Sequence, residues 1–323
     1  MLLSIIGGLA GLILGADLLV RGAVGLAQRM GVSSLLIGLT LVGFGTSVPE
    51  TATAVSAVLG GAPGIAIGNI VGANIANCLA IVGIAAVITS IAIPSDFIKR
   101  EGAALIAMTV SFVAWGSFFA FDWMTGIAML ALLALYVWSV ARRSSAADDV
   151  GDETTADLAQ REGWRFAFAR WFGAYPVASA VSLMLGGILL IVFSGRAFVD
   201  GAVLLAQSLG VSDAVIGVTV VAIGTTSPEL ITSVVAALRG RPGLALGNAI
   251  GSCFFNILGI GGLIALLKPI SIPESVVRFD FPVLIAAAVL TLLLASSGRL
   301  ISRLEGIGLI FCYCIYIATV AWV

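Results

Sequence analysis

Two glutamates, Glu50 and Glu229, each follow a proline in the middle of a membrane-length apolar run. A carboxylate at the centre of a bilayer costs about 2.5–3.5 kcal/mol on insertion scales. A chain with two at equivalent depths is expected to use them to bind cations. The neighbouring residues fit that use, in GTSVPE at 45–50 and GTTSPE at 224–229. A helical proline has no N–H, and its ring pushes away the carbonyl four residues back. Pro49 therefore releases the carbonyl of Gly45 and Pro228 that of Gly224, and the nearby carbonyls of Gly43 and Ala222 are placed to open as well. Thr46, Ser47, Thr225 and Thr226 add hydroxyls in the same turns. Carboxylate, hydroxyl and carbonyl are hard oxygen ligands, suited to Na⁺ and Ca²⁺ and poorly suited to soft transition metals. For one copy, a proline kink with a hydroxyl-capped glutamate is a serious competitor; for two facing copies it is a weak one.

The following run supplies amides. Asn69, Ala73 and Asn77 fall at i, i+4 and i+8 and share one helix face, as do Asn248, Ser252 and Asn256. Asparagine offers an uncharged oxygen ligand and a donor that can hold a carboxylate. Hydrogen bonding between spans is the alternative use, and it weighs more at Asn69 and Asn248 than at Asn77 and Asn256. Gly68 with Gly72, and Gly247 with Gly251, have the spacing of close helix packing, which needs no ion.

These residues lie in two near-copies. Aligning Glu50 on Glu229 makes about half of residues 31–78 identical to 210–257. Ten apolar runs are predicted at roughly 3–27, 33–59, 64–91, 102–121, 124–141, 175–206, 213–238, 243–267, 280–297 and 305–322. Several exceed the ~20 residues needed to cross, so tilted or broken helices are expected. The sizeable polar segment, 142–172, divides the chain into halves of five spans, 1–141 and 173–323. Five is odd, so the second copy enters the membrane from the opposite side. The expected fold is an all-α polytopic membrane protein of ten transmembrane helices, built as two inverted five-helix repeats with broken helices at the midplane.

With the N-terminus outside, thirteen basic residues fall on the inner side, and Arg196, Lys268 and Arg278 fall outside. The predicted orientation places both termini outside, with 142–172 cytoplasmic. Asp17 aligns with Arg196 and Arg21 with Asp200, an i, i+4 pair with its charges exchanged. Self-neutralisation near a helix end explains it best; a latch on a moving helix is the alternative. In 160–175, Trp, Phe and Arg read as an aromatic and basic belt, with an amphipathic regulatory helix as the weaker alternative for the same segment.

Composition agrees: 60% of residues are apolar, 10% are charged and the mean hydropathy is +1.16, beyond what a soluble domain could cover. The net charge of −1 gives no sign of nucleic acid as a partner. The absence of histidine removes the commonest metal ligand and proton shuttle. Cys78, Cys253, Cys312 and Cys314 lie in apolar runs and read as small core residues; Cys312 and Cys314, at i and i+2, face different ways. The N-terminus has neither a basic region nor a small-residue cleavage site, so it reads as a first span.

The two GT[ST]xPE…GNxxG signatures, each with 27 residues from the glutamate to the later asparagine, resemble the repeats of the cation/calcium exchanger superfamily, whose bacterial members are sodium/calcium antiporters. The likeness covers essentially the whole chain. It implies a Ca²⁺/Na⁺ antiporter of the plasma (inner) membrane that extrudes Ca²⁺, with no permanent cofactor. Ca²⁺, Na⁺ and membrane lipid are then its partners, and a monomer its expected state. It also implies Glu50 and Glu229 as the central Ca²⁺ ligands. Thr46, Ser47, Thr225 and Thr226 would surround Na⁺, with backbone oxygens near Gly43 and Ala222. Asn77 and Asn256 would complete the middle layer, with Ser252 at its edge. The family picture adds that the first and sixth helices slide together over a fixed core; Gly7, Gly8, Gly11, Gly15, Gly186 and Gly187 permit close packing there. Two positions depart from the pattern: Ala73 stands where serine is frequent, and Asn256 where aspartate is frequent. The site then holds two formal negative charges, which balance one Ca²⁺ or two Na⁺.

A proton-coupled exchanger is the nearest alternative, because desolvated glutamates can titrate. A cation channel is disfavoured by paired inverted repeats, since filters usually sit on a rotational axis. An intramembrane enzyme is weaker still: there is no HExxH, and Ser47 and Ser227 have no histidine or membrane-depth lysine to activate them.

Overall fold

The computed structural model describes residues 2–142, 176–209 and 222–320. They form twelve helices: α1 Leu2–Met30, α2 Ser34–Thr46, α3 Val48–Leu59, α4 Pro63–Ile88, α5 Ile98–Phe118, α6 Trp123–Ala141, α7 Pro176–Ser208, α8 Ala222–Thr225, α9 Ser227–Leu238, α10 Pro242–Leu267, α11 Val276–Ser296 and α12 Arg303–Val320. Among the described residues eight helices are long and apolar enough to cross a membrane, or nine if α2 and α3, bent by 42°, count as one span. The expected run at 213–238 is described only from residue 222. Nearly all of 142–172, and the belt at 160–175 up to its last residue, lie outside the described residues.

Burial sorts the helices by role. In α4 and α10, 83% and 72% of the apolar window is buried, against 17% in α6 and 11% in α12. The first pair is therefore the centre of the bundle. The second pair presents Leu132, Leu135, Phe311 and Ile315 outward, an apolar surface suited to lipid.

Local chemistry sets the ends. Proline occupies one of the first two positions of α3, α4, α9 and α10, where its missing N–H is no loss. Gly61 and Gly240, at φ +81° and +70°, turn the chain between α3 and α4 and between α9 and α10; that region favours glycine. Asp122 caps α6, accepting from the Thr125 N–H at 2.9 Å and its hydroxyl at 2.8 Å, bonds that hold its carboxyl below its usual range. Ser302 and Glu305 form a reciprocal cap at α12.

α1 lies along α7 through small residues. A Cβ on Gly8 would sit 2.6 Å from the Phe198 nitrogen, and one on Gly187 would sit 2.6 Å from the Leu19 nitrogen. Gly11 and Gly15 make the same kind of approach, to Ser194 and Ile191, and Gly22 joins them against Ala180. Gly7 and Gly186 meet nothing within 4 Å among the described residues. Such surfaces let backbones approach closely.

Several contacts occur twice with the halves exchanged. Gly83 packs on the Gly306 carbonyl, and Gly262 on that of Gly126. Strand β1 (Ile91–Ala92) pairs antiparallel with β2 (Leu300–Ile301), and Phe121 forms an antiparallel bridge with Ile270. On the alignment of Glu50 with Glu229, Ile91 matches Ile270 and Phe121 matches Leu300, one residue before the Ile301 that pairs with Ile91.

Candidate ion-binding site

The two signatures converge on the centre of the bundle. Helix α2 stops at Thr46 and α3 begins at Val48, with Ser47 at the break (φ −82°, ψ 8°); Thr226 occupies the equivalent break (φ −86°, ψ 0°) between α8 and α9. Each break places a glutamate in the first turn of the new helix, Glu50 in α3 and Glu229 in α9. Both are fully buried, and their carboxylates adjoin each other. The hydroxyl of Ser47 donates to Glu229 Oε1 at 3.1 Å. Neither oxygen of Glu50, nor Oε2 of Glu229, has an N–H or hydroxyl donor among the described residues.

The asparagine rows hold the breaks in place. Asn248 donates to the Glu229 carbonyl at 3.1 Å and accepts from the Thr46 hydroxyl at 3.1 Å. Asn69 donates to the Glu50 carbonyl at 3.5 Å and accepts from the Thr225 hydroxyl at 3.4 Å. Each half thus positions the other. Asn69 and Asn248 act as supports for the broken backbone, the interhelical role that the sequence offered as the alternative for them.

Asn77 and Asn256 differ. Both are fully buried, and neither amide has a hydrogen-bond partner on its oxygen or nitrogen among the described residues. Each lies in a π-turn, Asn77–Ile81 or Phe255–Ile260, a widening often found at functional positions. The turn bearing Asn256 packs against α3, and the turn bearing Asn77 against α9. Buried polar atoms without partners are rare in folded proteins. Here they gather beside two carboxylates.

The remaining expected ligands fall in the same region. Ser252 is buried and donates to the Gly43 carbonyl at 3.2 Å. That carbonyl also accepts from the Ser47 N–H at 3.2 Å and the Thr46 hydroxyl at 3.3 Å, so it is engaged. Pro228 does free the Gly224 carbonyl, which takes the Ser227 hydroxyl at 2.7 Å. Ala222 opens helix α8; its side chain lies outside the described residues. Ala73 is buried and brings no oxygen. Two hydroxyls escaped the sequence reading: Ser233, which accepts from Asn248 at 2.9 Å, and Thr232, fully buried with no partner on its hydroxyl among the described residues. Their positions, three and four residues after Glu229, were the available signal.

Asp17 accepts from Arg21 at 2.7 Å and also from Arg239, just past the end of α9. It therefore ties α1 to another helix as well as neutralising itself. No such bond joins Arg196 and Asp200 among the described residues, where both are exposed. A cavity of about 810 Å³ lies at this end of the bundle, walled by Gln28, Ser33, Leu39, Arg100, Arg241 and Leu246, among others.

Fold and site together define a multi-pass helical membrane protein that encloses an acidic, oxygen-lined centre of the kind transporters use for ions. The sodium/calcium exchanger protein family profile matches residues 1–141 and 179–322, and the chain belongs to that family. It is 32% identical to the sodium/calcium exchanger MaX1 of Methanosarcina acetivorans, over 98% of this chain and 97% of that one. It is 34% identical to the putative antiporter CaxA of Alkalimonas amylolytica, over 95% and 94%. A solved structure of the sodium-calcium exchanger NCX_Mj, soaked with Na⁺ and Sr²⁺, superposes with a TM-score of 0.82 at 30% identity, covering 98% of this chain and 96% of that one. The chain is a transporter of this family and no enzyme.

Proposed function

We propose that this protein exchanges Ca²⁺ for Na⁺ by alternating access, in the plasma membrane and in the direction of Ca²⁺ extrusion when the Na⁺ gradient points inward. The observation that carries this reading is the pair of buried, adjoining carboxylates, three of whose four oxygens have no N–H or hydroxyl donor among the described residues. Two like charges stripped of water are costly to bury, and a cation between them removes most of that cost. Turnover is then favoured with ions loaded and opposed when empty, which enforces exchange over leak.

In this reading Glu50 and Glu229 are the central Ca²⁺ ligands. Thr46, Ser47, Thr225 and Thr226, with backbone oxygens around Gly43 and Ala222, serve Na⁺. Asn77 and Asn256 fill the middle layer, with Ser252 at its edge. Two inverted repeats of five spans, 1–141 and 173–323, flank a cytoplasmic linker, 142–172, with both termini outside. The exchanged pairs Gly83–Gly306 and Gly126–Gly262, and Asn69–Thr225 and Asn248–Thr46, support a two-fold relation, because such a relation returns every contact with its partners swapped. The cavity beside Arg100 and Arg241 suits the inner vestibule. Helices α1 and α7 are the sliding pair.

The test is uptake of radioactive calcium by proteoliposomes loaded with Na⁺, K⁺ or acid. Uptake confined to Na⁺-loaded vesicles supports the proposal. Uptake driven by internal acid alone moves the protein to the proton-coupled branch, and uptake without any counter-ion makes it a channel.

A further inference from the structure

Two of the four cysteines meet inside the bundle. Cys78 of α4 and Cys253 of α10 are both buried, and their sulfurs are 3.9 Å apart. They come from non-equivalent positions of the two halves, since Cys253 aligns with Asn74 and Cys78 with Ile257. The pair is thus separate from the repeated motif. A disulfide has its sulfurs about 2.05 Å apart, so these are two thiols. The Cys253 sulfur also lies 3.9 Å from the Asn74 carbonyl, one helical turn before Cys78.

We propose that Cys78 and Cys253 form a capture site for a soft divalent cation of the d¹⁰ class, with Cd²⁺ as the probe. Thiolates bind zinc at about 2.3 Å, and the tetrahedral angle then sets two of them about 3.8 Å apart; cadmium, slightly larger, asks for a little more. The observed 3.9 Å fits that bite without movement of either helix. Two sulfur ligands select soft cations against Ca²⁺ and Na⁺. Two thiolates also neutralise a divalent charge in a setting that tolerates no net charge. Their protons leave to solvent on binding. The Asn74 carbonyl, 3.9 Å from the Cys253 sulfur, is an oxygen placed beside the pair. Cys78 comes directly after Asn77 and Cys253 directly after Ser252, so each thiol lies on the same helical turn as a side chain of the carboxylate site, about 100° further round the helix. Once held by the thiols, a cation bridges α4 and α10, the two most buried helices.

The test is Cd²⁺ titration of the purified full chain in detergent, free of Ca²⁺, with Cys312→Ser and Cys314→Ser removing the two other thiols. One equivalent is expected, with an ultraviolet sulfur-to-metal charge-transfer band. Cys78→Ser and Cys253→Ser should each abolish the band and weaken Cd²⁺ binding by more than the ~10-fold that even outer-shell losses cause. A band that persists in either variant overturns the proposal. So does Cd²⁺ binding that shows no band and depends on Glu50 alone. X-ray absorption at the cadmium edge, on the chain with both serine substitutions but with Cys78 and Cys253 intact, decides the matter even if the other variants misfold: two sulfur neighbours support the site, and an all-oxygen shell refutes it. None of these readouts requires transport, so they stand or fall apart from the exchange activity.

Discussion

At the scale of single residues, two buried glutamates make the empty protein less stable than its loaded form. Ca²⁺ at a hundred times its Kd should stabilise the wild type by about 2.7 kcal/mol through linkage. Glu50→Gln and Glu229→Gln should lose that response while matching or exceeding the wild type's stability in ion-free buffer, because a neutral amide is cheaper to bury than a carboxylate. Thermal unfolding with and without Ca²⁺ checks both halves of the statement. In the proposed site Asn256 governs the charge count. With Asn77 and Asn256 neutral, the acidic pair balances one Ca²⁺ or two Na⁺, so exchange should be electroneutral and indifferent to membrane potential. Asn256→Asp adds a third negative charge and should make uptake respond to an imposed K⁺ diffusion potential. The acidic pair and its hydroxyls were legible in the sequence because burying a charge leaves few uses for it. The partnering of Asn69 and Asn248 with the opposite half was not, since it depends on how two distant segments meet.

At the scale of elements, the helix boundaries follow from chemistry that a sequence displays. Every predicted run that is fully described begins and ends within a few residues of its helical segment, and proline marks the start of helices α3, α4, α9 and α10. The π-turns at Asn77–Ile81 and Phe255–Ile260 left no such mark. One extra residue in a turn leaves apolar periodicity almost unchanged, and what stabilises it is packing. The glycines of α1 and α7 were legible as a close-packing surface, though Gly22 joins it and Gly7 and Gly186 do not. Cys314, read as a core residue, is exposed, because a helix facing lipid carries the same apolar composition as one facing the core. The tight α1–α7 seam leads to a prediction. Gly187→Val places a branched side chain where even a Cβ lies 2.7 Å from the Gly15 carbonyl, an overpacking that typically costs about 1–3 kcal/mol. Ca²⁺ binding should survive in the folded fraction while uptake is lost, which separates the sliding surface from the ion site. Asp17→Asn should release the tie between α1 and the end of α9 and alter turnover, leaving Ca²⁺ affinity within about twofold, since one partly exposed ion pair contributes only about 1 kcal/mol or less.

At the scale of the whole molecule, the proposed orientation makes the two ends of α11 face different compartments. Ser297→Cys should react with an impermeant maleimide only from the inner side, and Lys268→Cys only from the outer side; the reverse pattern inverts the topology. On the proposed function, the arrangement keeps two buried carboxylates apart from water and dependent on a transported cation. The most direct measurement is calorimetric titration of Ca²⁺ into the purified protein at increasing Na⁺, alongside Glu50→Gln and Glu229→Gln. The account predicts one Ca²⁺ per chain, an apparent affinity that falls as Na⁺ rises, and no measurable Ca²⁺ binding in either variant. Full Ca²⁺ binding in both variants, or an affinity indifferent to Na⁺, would contradict it.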